Sequence, residues 1–537
     1  MQELYELTSP QKTIWLTEQF YKGSSINNVS GTLIIDAQVD FNILKKAINI
    51  FVQKNDAMRI HLKFTEDEVM QYIVESTDFE VDLTKIEDEE SLKKWENNLA
   101  KTPFSMIEVP LCSFKMFKYP NGKGGFNATL HHIISDAWTM GLLIEQIMDN
   151  YYNLTNNIDI DLENSYSYID YINANKEYRN SIKYIKDKEY WNNNFKDEFN
   201  VAKIMPNIIN KNDTEANRKN IELSTEINNN ITEFCNTNKI STFTFLTAVI
   251  QIYLSKINKN KTVVIGTPVL NRGNFKDKQT LGMYISTVPF KVNVEETMTF
   301  KEFISYLSIE QLSLFRHQKL SYEEIYNIAK ENNSITSIYD VMFSYQNTKY
   351  IQQKGDIKYC TNWLFCGHIS NTIDIHVCDM HNTGEIGFLY DYQINTLTEE
   401  EIESIHKSLM FIIDNILNNS DIKIGDIQIQ ESNKLSTDDE FKIFNDFNNT
   451  GSIEINKTVI DIFDEISLEY ENNIALKYEN NEITYKELRN KMNFIADILR
   501  KNGVGRNKPV AMLFHKSIEM IIGMLAIMKS GRLLCSN

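Results

Sequence analysis

The chain is poor in the residues that usually punctuate a fold. Only 19 glycines and 8 prolines occur in 537 residues, so inter-domain linkers cannot be located by Gly/Pro-rich tracts. It also lacks a basic surplus. With 55 Lys and Arg against 73 Asp and Glu, the net charge is −18, and no Lys/Arg stripe interleaved with aromatics occurs, which argues against a nucleic-acid partner. The first 36 residues carry no basic segment followed by an apolar core, and no run of about 20 apolar residues appears later. We therefore expect no membrane span, and a cytoplasmic location. The 6 cysteines form no pairwise framework, which reads as reduced thiols. The nearest approach to a metal cluster is Cys360, Cys366, His368, His376 and Cys378, which lacks a close Cys-x-x-Cys pair; we read these as core residues and expect no metal. Gly-x-Ser-x-Gly, Walker and Gly-x-Gly-x-x-Gly loops are all missing, which disfavours a covalent serine enzyme, a P-loop and a dinucleotide fold.

What is present is a large apolar reserve, 42% of residues, patterned as alternating strands and helices. Pro10 stands in the first turn of a helix running through Ile14, Trp15 and Phe20. Ser30–Asp36, Ile60–Phe64 and Val69–Glu75 read as strands, and 40–55 has helical spacing. In the second half, 243–254 predicts a long apolar helix and 262–268 a buried strand. Further strands are expected at 339–344, 373–377 and 386–390, before a closing helix over 399–417. The fold class is α/β.

The most informative stretch is Phe126-Asn-Ala-Thr-Leu-His131-His132-Ile-Ile-Ser135-Asp136-Ala-Trp138. On a strand of period two, His132 shares a face with Phe126, Ala128 and Leu130 while His131 points away, so only one histidine can face a given cavity. Ser135 or Asp136 can then cap a helix through Leu142, Leu143 and Ile147. A strand-turn-helix of this kind sets an imidazole in a cleft, with a carboxylate at hand to fix the backbone. With no covalent nucleophile in view, it suits direct acyl transfer, in which an attacking amine must lose a proton and an oxyanion must be stabilised.

His131-His132-Ile-Ile-Ser-Asp136 resembles the His-His-x-x-x-Asp-Gly signature of nonribosomal peptide synthetase condensation domains, with Ala137 where Gly is usual. Other landmarks follow in the family's order over about residues 3–430. They are Thr8-Ser-Pro-Gln11 with Trp15, Asn55-Asp-Ala-Met-Arg59, Tyr168-Ile-Asp170-Tyr171, Gly266-Thr-Pro-Val-Leu-Asn271-Arg272, Leu281 to Pro289, and Arg316-His317-Gln318 with Tyr322. The resemblance implies a two-lobed, V-shaped fold like chloramphenicol acetyltransferase, with a tunnel that admits two pantetheine arms. It implies that His132 is the catalytic or substrate-positioning residue. Asp136 is then a structural carboxylate paired with an arginine, for which Arg59 is the matching candidate. His131 is structural, and Trp15, Tyr168, Asp170, Trp191 and His317 serve packing or the lobe interface. No cofactor is expected to be bound; substrates arrive on the phosphopantetheine of carrier proteins or on coenzyme A.

The expected organisation is an N-terminal lobe over 1–170, a C-terminal lobe over 171–430, a linker over 431–450, and from 451 to 537 a segment resembling the opening of an adenylation domain. Ile483-Thr484-Tyr485-x-Glu487-Leu488 carries that second resemblance. Its nucleotide loops would lie beyond residue 537, so we expect no amino-acid activation from this segment. With no carrier domain upstream in the chain, the donor is expected in trans. Ser286-Thr-Val-Pro289 and Asn55–Arg59 resemble initiating domains of lipopeptide synthetases, which take a fatty acyl donor, often 3-hydroxylated. The alternatives are an extending condensation domain fed by a peptidyl carrier, an epimerase-like relative, disfavoured by Trp138-Thr139-Met140, and a non-catalytic carrier-docking scaffold.

Overall fold

The computed structural model describes residues 3–66, 68–75, 79–162, 166–205, 213–346, 351–379, 386–429, 457–479, 481–504, 510–530 and 534–536. The expected linker over 431–450 lies outside the described residues. The chain divides into two compact units, Met1–Ser432 and Asn433–Asn537.

The first unit is built on two mixed six-stranded sheets, each covered by helices and each with its own apolar core. In the N-terminal sheet the strand Gly124–His131 is central. It pairs antiparallel with Asn28–Ile35 on one side and Cys112–Lys118 on the other. Phe126, Ala128 and Leu130 enter the core, while Asn127 and Thr129 hydrogen-bond with Ser30 and Thr32 on the opposite face, so the alternation read from the sequence is present. The helix Phe41–Lys54 begins where Asp40 accepts the backbone N–H groups of Asn42 and Ile43, and it buries Leu44, Ala47, Ile48, Phe51 and Val52 on one stripe.

The C-terminal sheet runs in the order Ser286–Asn293, Thr262–Val269, Val341–Gln346, Ile373–Cys378, Gly387–Gln393, Ala216–Glu222. The helix Thr242–Asn258 lies almost wholly inside the core, which explains why its sequence is apolar on every side. Among the described residues no single helix is long and apolar enough to cross a membrane.

The topology corrects one sequence expectation. The hairpin Ile351–Lys354/Ile357–Leu364, placed by its position in the C-terminal lobe, is part of the N-terminal sheet: Tyr359 to Leu364 pair with Ile35 to Ser30. Strand pairing there is decided by backbone hydrogen bonds between segments more than 300 residues apart, for which local periodicity holds no signal. Trp363 lies flat against Gly31, where a Cβ would come within 2.9 Å of the ring, so the crossing needs a glycine there.

The second unit carries the helices Val459–Glu469, Tyr485–Lys501 and Ile518–Lys529 with two small two-stranded sheets. Thr484 and Glu487 form a reciprocal cap at the start of the middle helix. Its core is small, centred on Ile483, Leu488, Ile518 and Ile522.

Candidate active site

His131 ends the central strand and His132 opens a single 3-10 turn, after which Asp136 caps the helix Ala137–Thr155 by accepting the Thr139 N–H at 2.8 Å. His131 is almost fully buried. Its Nδ1 accepts the Ile133 N–H at 3.1 Å, which leaves Nε2 to carry the proton toward Glu18 Oε2 at 3.3 Å. Burial lowers the His131 pKa, so the ring stays neutral. Burial alone would raise the Glu18 pKa, but hydrogen bonds from His131 and Asn27 outweigh it and hold the carboxyl below its usual range. The Gln11 side chain donates to the Ile133 carbonyl at 3.0 Å, which ties the first helix to the same turn.

His132 faces the other way. Its backbone N–H is held by the Asn27 carbonyl at 2.7 Å, and its ring lines a cavity of about 280 Å³ between the two lobes. Its Nδ1 is buried without a hydrogen-bond partner among the described residues. Val29, Ala137, Met140, Trp363 and Leu364 supply an apolar wall from the N-terminal sheet and helix, whereas Arg218, Gln346, His376 and Asp391 supply a polar wall from the C-terminal sheet. Ala137 is exposed at the first helical position, so its methyl group is accommodated where the family signature has glycine.

Asp136 is fully buried, and its partner is not Arg59. Arg272 Nη1 donates to Asp136 Oδ2 at 2.6 Å, and the backbone N–H groups of Tyr284 and Ile285 donate to the same oxygen at 3.0 and 3.3 Å. The Arg272 guanidinium lies 4.1 Å from the centroid of the Tyr284 ring and also reaches the Thr280 and Gly282 carbonyls. Arg59 instead donates to the Val74 carbonyl at 2.7 Å, bracing the short strands Ile60–Phe64 and Val69–Ile73. The physical reason is reach: Arg59 follows its own strand pair, while the 271–285 segment of the C-terminal lobe crosses over and delivers Arg272 to the helix cap. Gly282 makes that crossing possible, since at φ +136° a Cβ would lie 2.2 Å from the Tyr168 ring.

The remaining sequence candidates sit in packing roles. Trp15 packs edge-on to Phe64, and Tyr168 is fully buried, donating to the Met283 carbonyl at 2.7 Å. Asp170 pairs with Lys276, and the Trp191 indole N–H donates to the His317 carbonyl at 3.0 Å. His317 donates to Asp187 at 2.7 Å and stacks on Tyr190. Cys360 lies in the N-terminal sheet and Cys378 in the C-terminal one; among the described residues no three His, Cys, Asp or Glu side chains converge on a metal-binding arrangement. The residues that sequence reasoning missed are Arg272, Glu18 and the Arg218–Asp391–His376 group. Only Arg272 stood inside a recognised motif, Asn271-Arg272, and nothing in its spacing pointed to a partner 136 positions away.

Two facing lobes, each a helix-covered mixed sheet, with a histidine at the mouth of a strand-to-helix turn between them, define a two-lobed acyltransferase architecture. A family model described as condensation domain matches residues 1–435, and a second, described as AMP-binding enzyme, matches 463–535. The chain belongs to the condensation domain family, whose members in nonribosomal peptide synthetases form amide bonds. It is 29% identical over 98% of its length to surfactin synthase subunit 1 of Bacillus subtilis (strain 168), covering 15% of that protein. It is 24% identical over 99% of its length to gramicidin S synthase 2 of Aneurinibacillus migulanus, covering 12%. The chain thus spans well under a quarter of these relatives. Its fold resembles the starter condensation domain of rhizomide synthetase in complex with C8-CoA (TM-score 0.70, 16% identity, 79% of this chain and 97% of that one). It also resembles the first condensation domain of the calcium-dependent antibiotic synthetase (TM-score 0.70, 14% identity, 79% and 99%).

Proposed function

We propose that residues 1–435 join an acyl thioester to the amine of a carrier-bound aminoacyl group, with a fatty acyl donor supplied on coenzyme A or an acyl carrier protein. The observation that carries this reading is His132, at a cavity lined by both lobes and free of the hydrogen bonds that immobilise His131. The amine nitrogen attacks the thioester carbonyl, the new C–N bond forms, the C–S bond breaks, and His132 takes the proton that the nitrogen loses and returns it to the departing thiolate. His132 acts from a turn that Asn27, Gln11 and the Asp136 cap hold in place, which supplies the positioning such a transfer needs. The apolar wall of Val29, Met140 and Trp363 supports a lipid donor, because a hydrocarbon chain gains free energy there without desolvating charge. The thiols of Cys112, Cys235, Cys360 and Cys366 are in no disulfide, which supports a reducing, cytoplasmic setting.

The test is intact-mass analysis of an aminoacyl-loaded carrier incubated with the chain and a series of acyl-coenzyme A donors. A mass gain equal to the acyl group is expected, and His132→Ala is expected to slow it by roughly 10²–10⁴-fold. Full activity in that variant removes His132 from the mechanism. Transfer only from a peptidyl or aminoacyl carrier replaces the fatty donor with that of an extending domain. Carrier binding with no amide from any donor leaves only the docking scaffold.

A further inference from the structure

The cavity beside His132 is unevenly lined: Val29, Met140, Trp363 and Leu364 make the N-terminal side mainly apolar, with Asn28 and Ser30 among them, and the C-terminal sheet adds Leu389 to a mainly polar side. On the C-terminal side, Arg218 on strand Ala216–Glu222 grips Asp391 of the neighbouring strand through Nε and Nη2 at 2.6 and 2.7 Å, a bidentate pair. His376, one strand further, lies 3.3 Å from the same carboxylate through Nε2 and meets the Ser344 hydroxyl at 2.6 Å through Nδ1. Gln346 reaches Ser344 from the end of its strand and opens on the cavity. An ionised Asp391 only accepts, so His376 presents an N–H to it, and the Arg218 and Asp391 charges offset each other. At the cavity this side sets the partly exposed Arg218 guanidinium near the carboxamide of Gln346, a group that both donates and accepts.

A hydrocarbon chain laid against this wall would displace water from its polar groups without replacing the hydrogen bonds, which is unfavourable. The donor chain is thereby confined to the opposite, apolar wall. We propose that Arg218, Gln346, His376 and Asp391 form the surface that receives the side chain of the acceptor aminoacyl group, and that they select an uncharged side chain able both to donate and to accept, of the carboxamide class. A cationic side chain meets Arg218, and an anionic one competes with Asp391 for the same guanidinium. This inference rests on the amide-forming reading of the same cavity.

The test uses the full chain with octanoyl-coenzyme A and competing glutaminyl, glutamyl, leucyl and lysyl N-acetylcysteamine thioesters, with product ratios read by mass spectrometry. The glutaminyl product is expected to exceed each of the others by about tenfold or more. Gln346→Leu, at the edge of the wall, should reduce that preference toward parity with the leucyl thioester. Because Arg218→Met alone would strand a buried carboxylate, the paired replacement Arg218→Met with Asp391→Leu removes both charges together and should turn the preference to leucyl. A parent chain that uses the leucyl or glutamyl thioester as well as the glutaminyl one overturns the proposal, as does a preference that neither replacement moves. Failure of amide formation with every acceptor would count against the reading of the reaction. The wall is then judged by calorimetric binding of glutaminyl and leucyl pantetheine amides, where equal affinity overturns it and tighter glutaminyl binding sustains it.

Discussion

Two bidentate Arg–Asp pairs flank the same inter-lobe region, and they are built to opposite ends. Asp136–Arg272 is sealed: both side chains are fully excluded from solvent, and backbone N–H groups and carbonyls add to their hydrogen bonding. Arg218–Asp391 borders the cavity, with the arginine side chain 25% exposed and a histidine at the open end. The first closes a helix cap against the segment arriving from the other lobe. The second stands in the wall of the cavity that His132 also lines. An ion pair's residue types therefore say little about its role; whether its remaining hydrogen-bonding directions end in backbone or in cavity says more.

The sharpest way to break this contrast is Asp136→Ala, which leaves Arg272 charged and buried. Unfolding followed by circular dichroism should show a loss of about 3–5 kcal/mol, with activity falling in step. An inactive variant as stable as its parent would give Asp136 a direct part in the chemistry and dissolve the distinction. The next effect has the opposite sign. Burial raises the carboxyl of Asp374, opposite Asp391 on the neighbouring strand, to about 6, so the fold binds a proton there that the unfolded chain releases near 3.8. Stability is fully present below pH 3.8 and declines as pH rises through 6, by up to about 3 kcal/mol for a shift of roughly two units. Asp374→Asn should abolish that decline and raise the melting temperature at pH 7; an unchanged pH profile between 4 and 7 would count against it.

Asp391 titrates the other way. Burial pushes its carboxyl up, but the Arg218 pair and His376 overcome this and hold it at about 2. Its contribution is present above pH 3.8 and lost as pH falls through 2, worth roughly 2.5 kcal/mol, and acid unfolding of Asp391→Asn should be shallower over that window. The smallest effect is expected for Arg59→Met. Losing one hydrogen bond to the Val74 carbonyl should cost about 1–2 kcal/mol without changing the acyl-transfer rate. A loss matching that of Asp136→Ala would restore Arg59 as its functional partner.

The strand-turn-helix around His131 and His132 was legible before any coordinates because each part is local. Alternation along 124–131 turns His131 away from the core face, the 3-10 turn that follows and not the strand period aims His132 at the cavity, and Asp136 caps a helix only three residues ahead of the N–H it accepts. The assignment of Arg59 to Asp136 failed because the partner of a buried charge is chosen by which segment reaches it. That segment was 271–285, threaded past Tyr168 at Gly282. The polar wall was invisible for the same reason, since Arg218, Ser344, His376 and Asp391 come from four strands of one sheet and meet only through its register.

From the amino-acid sequence alone came the α/β class, the capped helices, the buried helix around Phe245 to Leu254 and the histidine that faces the cleft, all set by short-range periodicity and by side chains that cap their own neighbours. Only the tertiary structure decided that residues 351–364 complete the N-terminal sheet, that Arg272 neutralises Asp136, and that an apolar and a polar wall face each other across one cavity. These are contacts between segments distant in the chain, fixed by strand pairing and by the need to satisfy every buried charge, and neither condition leaves a trace in local spacing.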